Sequence, residues 1–179
     1  MKPFTLETER LLIRPFRRDD AAEVLAFSSH PEVVKSTGDT MRTTLEEVYD
    51  IIDNTWLKEY TRYGYARYAV IHKEDQKVIG FNGLKYLPEI GFPDLGYRFL
   101  PEYWGQGIAT ESSRAVLNYA FQEFPVNKIL GFTLPNNQAS MKVLEKLGFL
   151  LWKLAPYPGD DNDLNIHWYH LLRENYERS

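Results

Sequence analysis

Gly105 and Gly107 bracket Gln106 just where a helix-forming run begins, in the stretch PEYWGQGIATESS at 101–113. The first N–H groups of such a helix have no partner inside it and carry the positive end of its dipole. Glycine removes the side chain that would hold a ligand off, and it tolerates backbone angles that other residues avoid. Bare amides at a helix start bind a phosphate or diphosphate without any lysine. A plain tight turn would use the same residues, so the two glycines alone leave both readings open. A second chemical pair, Asn137 and Ser140, opens another helical run. Both types are favoured helix caps, so that pair reads as a cap on its own. Carboxylates near the glycines are Glu89, Asp94 and Glu111. Glu111 in the first turn of the helix also suits its dipole.

Several chemistries are excluded or disfavoured. The chain has no cysteine, which rules out a disulfide framework, thiolate metal ligands and a cysteine nucleophile. His167 and His170 lie three apart on a predicted strand and face opposite sides, so they do not form a metal pair. DDND at 160–163 lacks the glycine and closing glutamate of a calcium loop. No metal site is expected. A dinucleotide fingerprint requires a third glycine where Thr110 stands, and an acid near 126–130, where VNKIL has none. A P-loop string is absent. The phosphate-binding alternative that remains is the diphosphate loop of an acyl-CoA site.

The elements that must position these residues alternate in type. LLIRPF (11–16) reads as a strand, and RDDAAEVLAFSS as a helix capped by Asp19 or Asp20. A helix over 43–60 starts on Thr44 with Glu47 three residues on, a capping box. Strands at 65–72, 78–86 and 94–100 follow as an antiparallel meander. Next come a helix at 107–121, a strand at 127–134, and a helix at 138–147 ended by Gly148. Two last strands lie at 149–154 and 164–172. The strand–helix–strand unit from 94 to 134 has the length of a crossover, so its strands are expected parallel. The fold class is α/β (α+β): one mixed sheet with helices on both faces.

The chain is 179 residues long and 44% apolar, enough for one core, so a single domain over 1–179 is expected. A formal charge of -4 provides no basic field for nucleic acid or anionic lipid. MKPFTLETERLLIRPF has no apolar block before its charges, unlike a signal peptide. No window approaches the run of about 20 apolar residues that a membrane helix needs. A soluble cytoplasmic protein is the expectation. The aromatic series at 56–68 reads as core, with an acceptor pocket as the alternative.

DLGYRFLPEYWGQGIATESSRAVLNYAF followed by NNQASMKVLEKLGF resembles the GNAT superfamily of acetyl-CoA-dependent N-acetyltransferases. LETERLLIRPFRRDD is similar to the opening of the branch containing the ribosomal-protein N-terminal (serine/alanine) acetyltransferases. The resemblance spans roughly 6–172. It implies the GNAT fold, a mostly antiparallel sheet of about seven strands splayed at its centre. It also implies acetyl-CoA as co-substrate. The family's loop, Gln/Arg-x-x-Gly-x-Gly/Ala, is matched by 102–107 at both glycines, with Glu102 departing at the first position. The resemblance places the diphosphate on Trp104, Gly105, Gln106, Gly107, Ile108, Ala109 and Thr110. It places the pantetheine arm along Tyr97, Phe99 and Leu100, with a hydrogen bond from Asn137. Many relatives carry a tyrosine acid four residues before the final GF; here that position is Leu144. Ser140, one helical turn earlier on the same face, is then the implied donor to the leaving thiolate.

Direct attack on a thioester requires a neutral amine. An α-amine has an ordinary pKa of about 7.7–8.0 against about 10.4 for lysine, so a peptide N-terminus needs little help. A backbone N–H of 97–100 would meet the developing oxyanion. Asp94 and Glu111 are the candidate bases. The expected function is acetyl transfer to a primary amine, with the N-terminal α-amine of a protein or peptide as the acceptor. A small amine (polyamine, amino acid or aminoglycoside) is the alternative acceptor. A non-catalytic acyl-CoA sensor is the alternative class, and a nicotinamide-binding domain a third. Either a monomer or a homodimer fits.

Overall fold

The structure of the protein is a computed structural model that describes residues 4–38, 40–160 and 163–176. Its strands are β1 (Leu6–Glu7), β2 (Leu11–Arg14), β3 (Arg67–His72), β4 (Lys77–Leu87), β5 (Phe92–Phe99), β6 (Lys128–Thr133), β7 (Leu150–Ala155) and β8 (Ile166–Leu172). They form an 8-stranded sheet in the order β1-β2-β3-β4-β5-β6-β8-β7. The count exceeds the expected seven because β1 pairs two residues with β2, too few to show a period in the sequence. All neighbours are antiparallel except β5 and β6, whose parallel pairing is registered only at Asp94 and Leu130. Beyond that pair the two strands diverge, as the resemblance implied.

Helices α1 (Ala21–Ser28) and α5 (Ile108–Glu123) take opposite faces of the sheet. Adjacent residues of β4 show this: the Phe81 ring meets Phe27 of α1, while Asn82 bonds Ser112 and Ser113 of α5. Successive strand residues point to opposite faces. Along α5, Ile108, Ser112, Val116, Leu117, Ala120 and Phe121 are buried at helical spacing. Full burial of a side chain such as Leu117 contributes about 1.5–3 kcal/mol. That burial fixes where the helix starts.

The capping box expected for the helix at 43–60 is present: the Glu47 amide donates to Thr44 Oγ1 at 3.3 Å, and Thr44 N donates to Glu47 Oε2 at 3.1 Å. The helix then runs as α3 (Leu45–Asp50), a π-helical segment Ile51–Trp56, and α4 (Leu57–Tyr63). The π segment puts Ile52 and Trp56 into the core together. Asp20 does not cap α1 as expected. Its carboxylate is taken by Arg14 at 2.7 and 2.8 Å and by the Arg17 amide at 2.8 Å. An element absent from the sequence reading, α2 (Pro31–Thr37), has Pro31 at its first turn and left-handed Gly38 at its end. Helix α6 (Gln138–Lys146) ends as expected at Gly148, with φ at 87°. There the Gly148 and Phe149 amides return to Glu145 and Leu144 carbonyls at 3.0 Å each. A short helix, α7 (Arg173–Tyr176), closes the described chain.

Candidate active site

The divergence of β5 from β6 opens a cleft of about 910 Å³. Most of the sequence-predicted residues meet there: Asp94, Tyr97, Phe99, Trp104, Gly105, Gly107, Ile108, Ala109, Thr110, Asn137 and Ser140 all line it. Leu100, Gln106 and Glu111 are not among the lining residues. The Leu100 amide turns to the Ile79 carbonyl of β4 at 3.0 Å. By strand alternation the Phe99 and Tyr97 amides then face the open wedge.

At the start of α5, Gly105 and Gly107 both have left-handed backbones, with φ of 72° and 79°. A β-carbon on Gly105 would meet nothing within 4 Å, so the requirement for glycine is backbone strain rather than crowding. The amides of Gly105, Gln106 and Gly107 have no acceptor among the described residues. No side chain caps the helix. Trp104 is tied back by its indole N–H to the Phe99 carbonyl at 2.8 Å. Gln106 turns its side chain away to the Glu102 carbonyl, at 2.6 Å, leaving only its backbone in the loop. A cradle of unengaged amides at a helix start fits a diphosphate.

Across the cleft, Asn137 caps α6, its side chain accepting from the Ser140 amide at 3.1 Å. Its Nδ2 donates to the Ser36 carbonyl of α2 at 2.9 Å. The Ser140 hydroxyl lies 2.8 Å from the Tyr97 hydroxyl of β5. Burial pushes the Tyr97 phenol up to about 12, so it stays protonated at neutral pH. Leu144 is buried, with its side chain against Gly131 of β6. A β-carbon on Gly131 would come within 2.9 Å of it. A tyrosine hydroxyl therefore does reach this part of the cleft, but from β5 rather than α6.

Asp94 is buried at the apex of the wedge. Its Oδ2 is bound by Arg67 Nη2 at 2.8 Å, whereas Oδ1 has no hydrogen-bond partner among the described residues. Arg67 also donates to the Gly83 and Asp94 carbonyls. Its guanidinium lies over Gly96, where any side chain would collide with it. Nearby, burial raises the Glu59 carboxyl against the opposing pull of Arg67 and Lys85. Arg98 is buried, donates to Thr37 Oγ1 at 3.4 Å, and is pushed down to about 10 by desolvation. Neither Arg67 nor Arg98 had a sequence signal, since each sits inside an ordinary strand pattern.

Glu111 is taken up elsewhere. It accepts from Thr8 Oγ1 at 2.6 Å, from the Arg10 amide at 3.0 Å and from Arg10 Nε at 2.7 Å. It lines a separate shallow groove with Thr8 and Arg114. Burial would raise its carboxyl, but those hydrogen bonds together hold it below the ordinary value. Glu89 is exposed and accepts from Tyr157 at 2.8 Å. That bond joins the loop after β4 to the 155–163 loop, whose residues Tyr157 and Asp160 line the cleft mouth. Of the DDND stretch, residues 161 and 162 lie outside the described residues. The helix at 43–60 supplies no lining residue. Val33, Ser36, Thr37 and Gly38, from α2 and its cap, do so instead. In the aromatic series, Trp56, Tyr60, Tyr65 and Tyr68 are core residues.

The sheet is split at a parallel pair, with an open helix start on one side of the cleft and a hydroxyl pair on the other. The Acetyltransferase (GNAT) domain matches residues 10–150, and the chain belongs to that family. Among its relatives is the uncharacterized N-acetyltransferase p20 of Bacillus licheniformis, 33% identical over 147 residues, covering 81% of this chain and 82% of p20. The ribosomal-protein-S5-alanine acetyltransferase of Vibrio fischeri shares the fold with a TM-score of 0.80 at 17% identity, over 97% of this chain and 98% of that one. The spermidine N-acetyltransferase of Vibrio cholerae, solved with CoA and spermine, does so with a TM-score of 0.76 at 16% identity, over 95% and 99%. The chain is an acetyl-CoA-dependent N-acetyltransferase, and its acceptor is an amine.

Proposed function

We propose that the acceptor is the N-terminal α-amine of a peptide or protein, and that residues 1–179 act as one catalytic domain. The observation that carries this reading is Asp94 Oδ1, a buried carboxylate oxygen without a partner among the described residues. The cleft around it also presents Arg67, Lys85 and Arg98. Lys142 and Lys146 also line the cleft, with Asp160 as its other carboxylate among the described residues. One buried acid in so cationic a lining suits a single ammonium on an otherwise uncharged chain. A polyamine would bring further positive charges toward those cations. The exposed Lys85 on the cleft lining can instead meet a carbonyl of a peptide.

Acetyl-CoA, when bound, supplies the activated acetyl thioester. The amides of Gly105, Gln106 and Gly107, with the first-turn amides of Ile108, Ala109 and Thr110, hold its diphosphate. Asn137 keeps one amide hydrogen beyond its bond to Ser36, available to the pantetheine arm. The Tyr97 and Phe99 amides stabilise negative charge on the reacting oxygen. Asp94 orients the amine, whose ordinary pKa near 7.7–8.0 leaves a reactive neutral fraction at neutral pH. As the C–N bond forms and the C–S bond breaks, Asp94 takes the proton shed by the amine nitrogen and Ser140 donates a proton to the departing sulfur. The Tyr97 hydroxyl at 2.8 Å returns one to Ser140 and is reprotonated from solvent once the thiol leaves.

Thiol release from acetyl-CoA, followed against peptides with free N-termini, spermidine and free amino acids, tests the acceptor class. Peptides should exceed spermidine by about tenfold or more in kcat/KM, the worth of one misplaced charge contact. A preference for spermidine or for amino acids would contradict the proposal. Tight CoA binding without turnover on any amine would favour the sensor alternative.

A further inference from the structure

Arg10 precedes β2, does not line the cleft, and is half-exposed, yet it reaches the diphosphate loop. Its Nη1 donates to the Gln106 carbonyl at 2.9 Å. Its Nε and Nη2 are held by Glu111 Oε2 at 2.7 and 2.6 Å. Glu111 is itself fixed by Thr8 Oγ1 and the Arg10 amide through Oε1. The guanidinium is thus clamped on one edge and presents the other to a single backbone carbonyl. A planar guanidinium held this way has little freedom left to lose.

The consequence lies in the peptide between Gln106 and Gly107. In a trans peptide the C=O and the following N–H point in opposite directions. Fixing the Gln106 carbonyl on Arg10 therefore turns the Gly107 N–H away from Arg10. Gly107 lines the cleft and Arg10 does not, so that amide is aimed at the cleft. The left-handed φ of 79° at Gly107 is the backbone setting that accompanies this orientation. A loop with two glycines has many other settings open to it, and an anion cradle loses strength when its donors wander.

We infer that Arg10, clamped by Glu111, is a positioning residue that aims the Gly107 amide at the diphosphate of the co-substrate. This rests on the reading of 105–107 as the diphosphate site. Arg10 touches the loop from behind and does not contact the ligand. Glu111 acquires a role through Arg10 rather than as a base.

The test compares two ligands, CoA and pantetheine, which lacks the diphosphate, in NMR titrations of the wild-type protein and of Arg10→Ala. Wild type should bind CoA far more tightly than pantetheine; equal binding would sink the diphosphate site itself. Arg10→Ala should weaken CoA about tenfold, the scale of one charge-assisted hydrogen bond lost or misaligned, while pantetheine binding stays within about twofold. Unchanged CoA affinity, or equal weakening of both ligands, would overturn the role of Arg10. If Arg10→Ala does not fold, Glu111→Gln and Arg10→Lys are judged by the same ratio. Arg10→Lys should restore part of the preference, since its ammonium can still reach one carbonyl.

Discussion

Two helices begin at the same cleft and are finished in opposite ways. The start of α6 is closed by its own chain: Asn137 accepts from the Ser140 amide and ties the turn to α2. The start of α5 is left open, with a left-handed glycine, no side-chain cap and unengaged amides. The closed end presents the Ser140 hydroxyl, which meets the Tyr97 hydroxyl of β5. The open end presents backbone donors and a dipole. A helix start that is satisfied internally can carry a reacting group, whereas one left unsatisfied and held from behind can take a charged ligand. The proposed mechanism uses one of each: a gripped donor at the open end and a protonated leaving group at the closed one.

The comparison breaks most readily at the open end. Gly107→Val should cut CoA affinity roughly a thousandfold, through loss of two charge-assisted bonds, as read by calorimetric titration. A circular-dichroism spectrum like that of wild type would show the fold intact. Normal CoA binding by this variant would mean the open end is not the diphosphate site. At the closed end, Ser140→Ala should lower kcat about a hundredfold with KM for acetyl-CoA nearly unchanged. An unchanged kcat would remove Ser140 from the mechanism. Asn137→Ala should cost about 1 kcal/mol, a fall of about 2–4 °C in Tm, with Asn137→Ser recovering most of it. No such asymmetric change is expected at α5, which has no cap to lose.

The smallest effect concerns pH. Glu111 is held below its ordinary pKa in the fold, so its contribution is present above the unfolded value and is lost as pH falls through the folded one. The Tm difference between wild type and Glu111→Gln should therefore shrink as pH falls through the low carboxylate range. A difference independent of pH would show that the carboxylate charge is not what the clamp uses.

The helix start at 107 was legible in the sequence because glycines precede an amphipathic run, a local pattern, although a plain tight turn fitted the two glycines equally well. The cap at Asn137 was legible for the same local reason, as were the Thr44–Glu47 box and the stop at Gly148. The misses are long-range. Tyr97 faces Ser140 only because β5 and α6 converge, and Arg67 reaches Asp94 only because Gly96 clears its path. Helix α2 was passed over although Pro31 and Gly38 mark its ends, since seven residues carry too little periodicity. Glu111 ranked as a possible base because sequence distance to the glycines is short. Its partners, Thr8 and Arg10, are about a hundred residues away in the chain.

A crystal structure with CoA bound tests the central claim most directly. Phosphate oxygens should lie about 2.7–3.1 Å from the amide nitrogens of residues 105–108, with the Gln106 carbonyl still on Arg10. A diphosphate seated elsewhere, with those amides turned toward protein or bulk water, would contradict it.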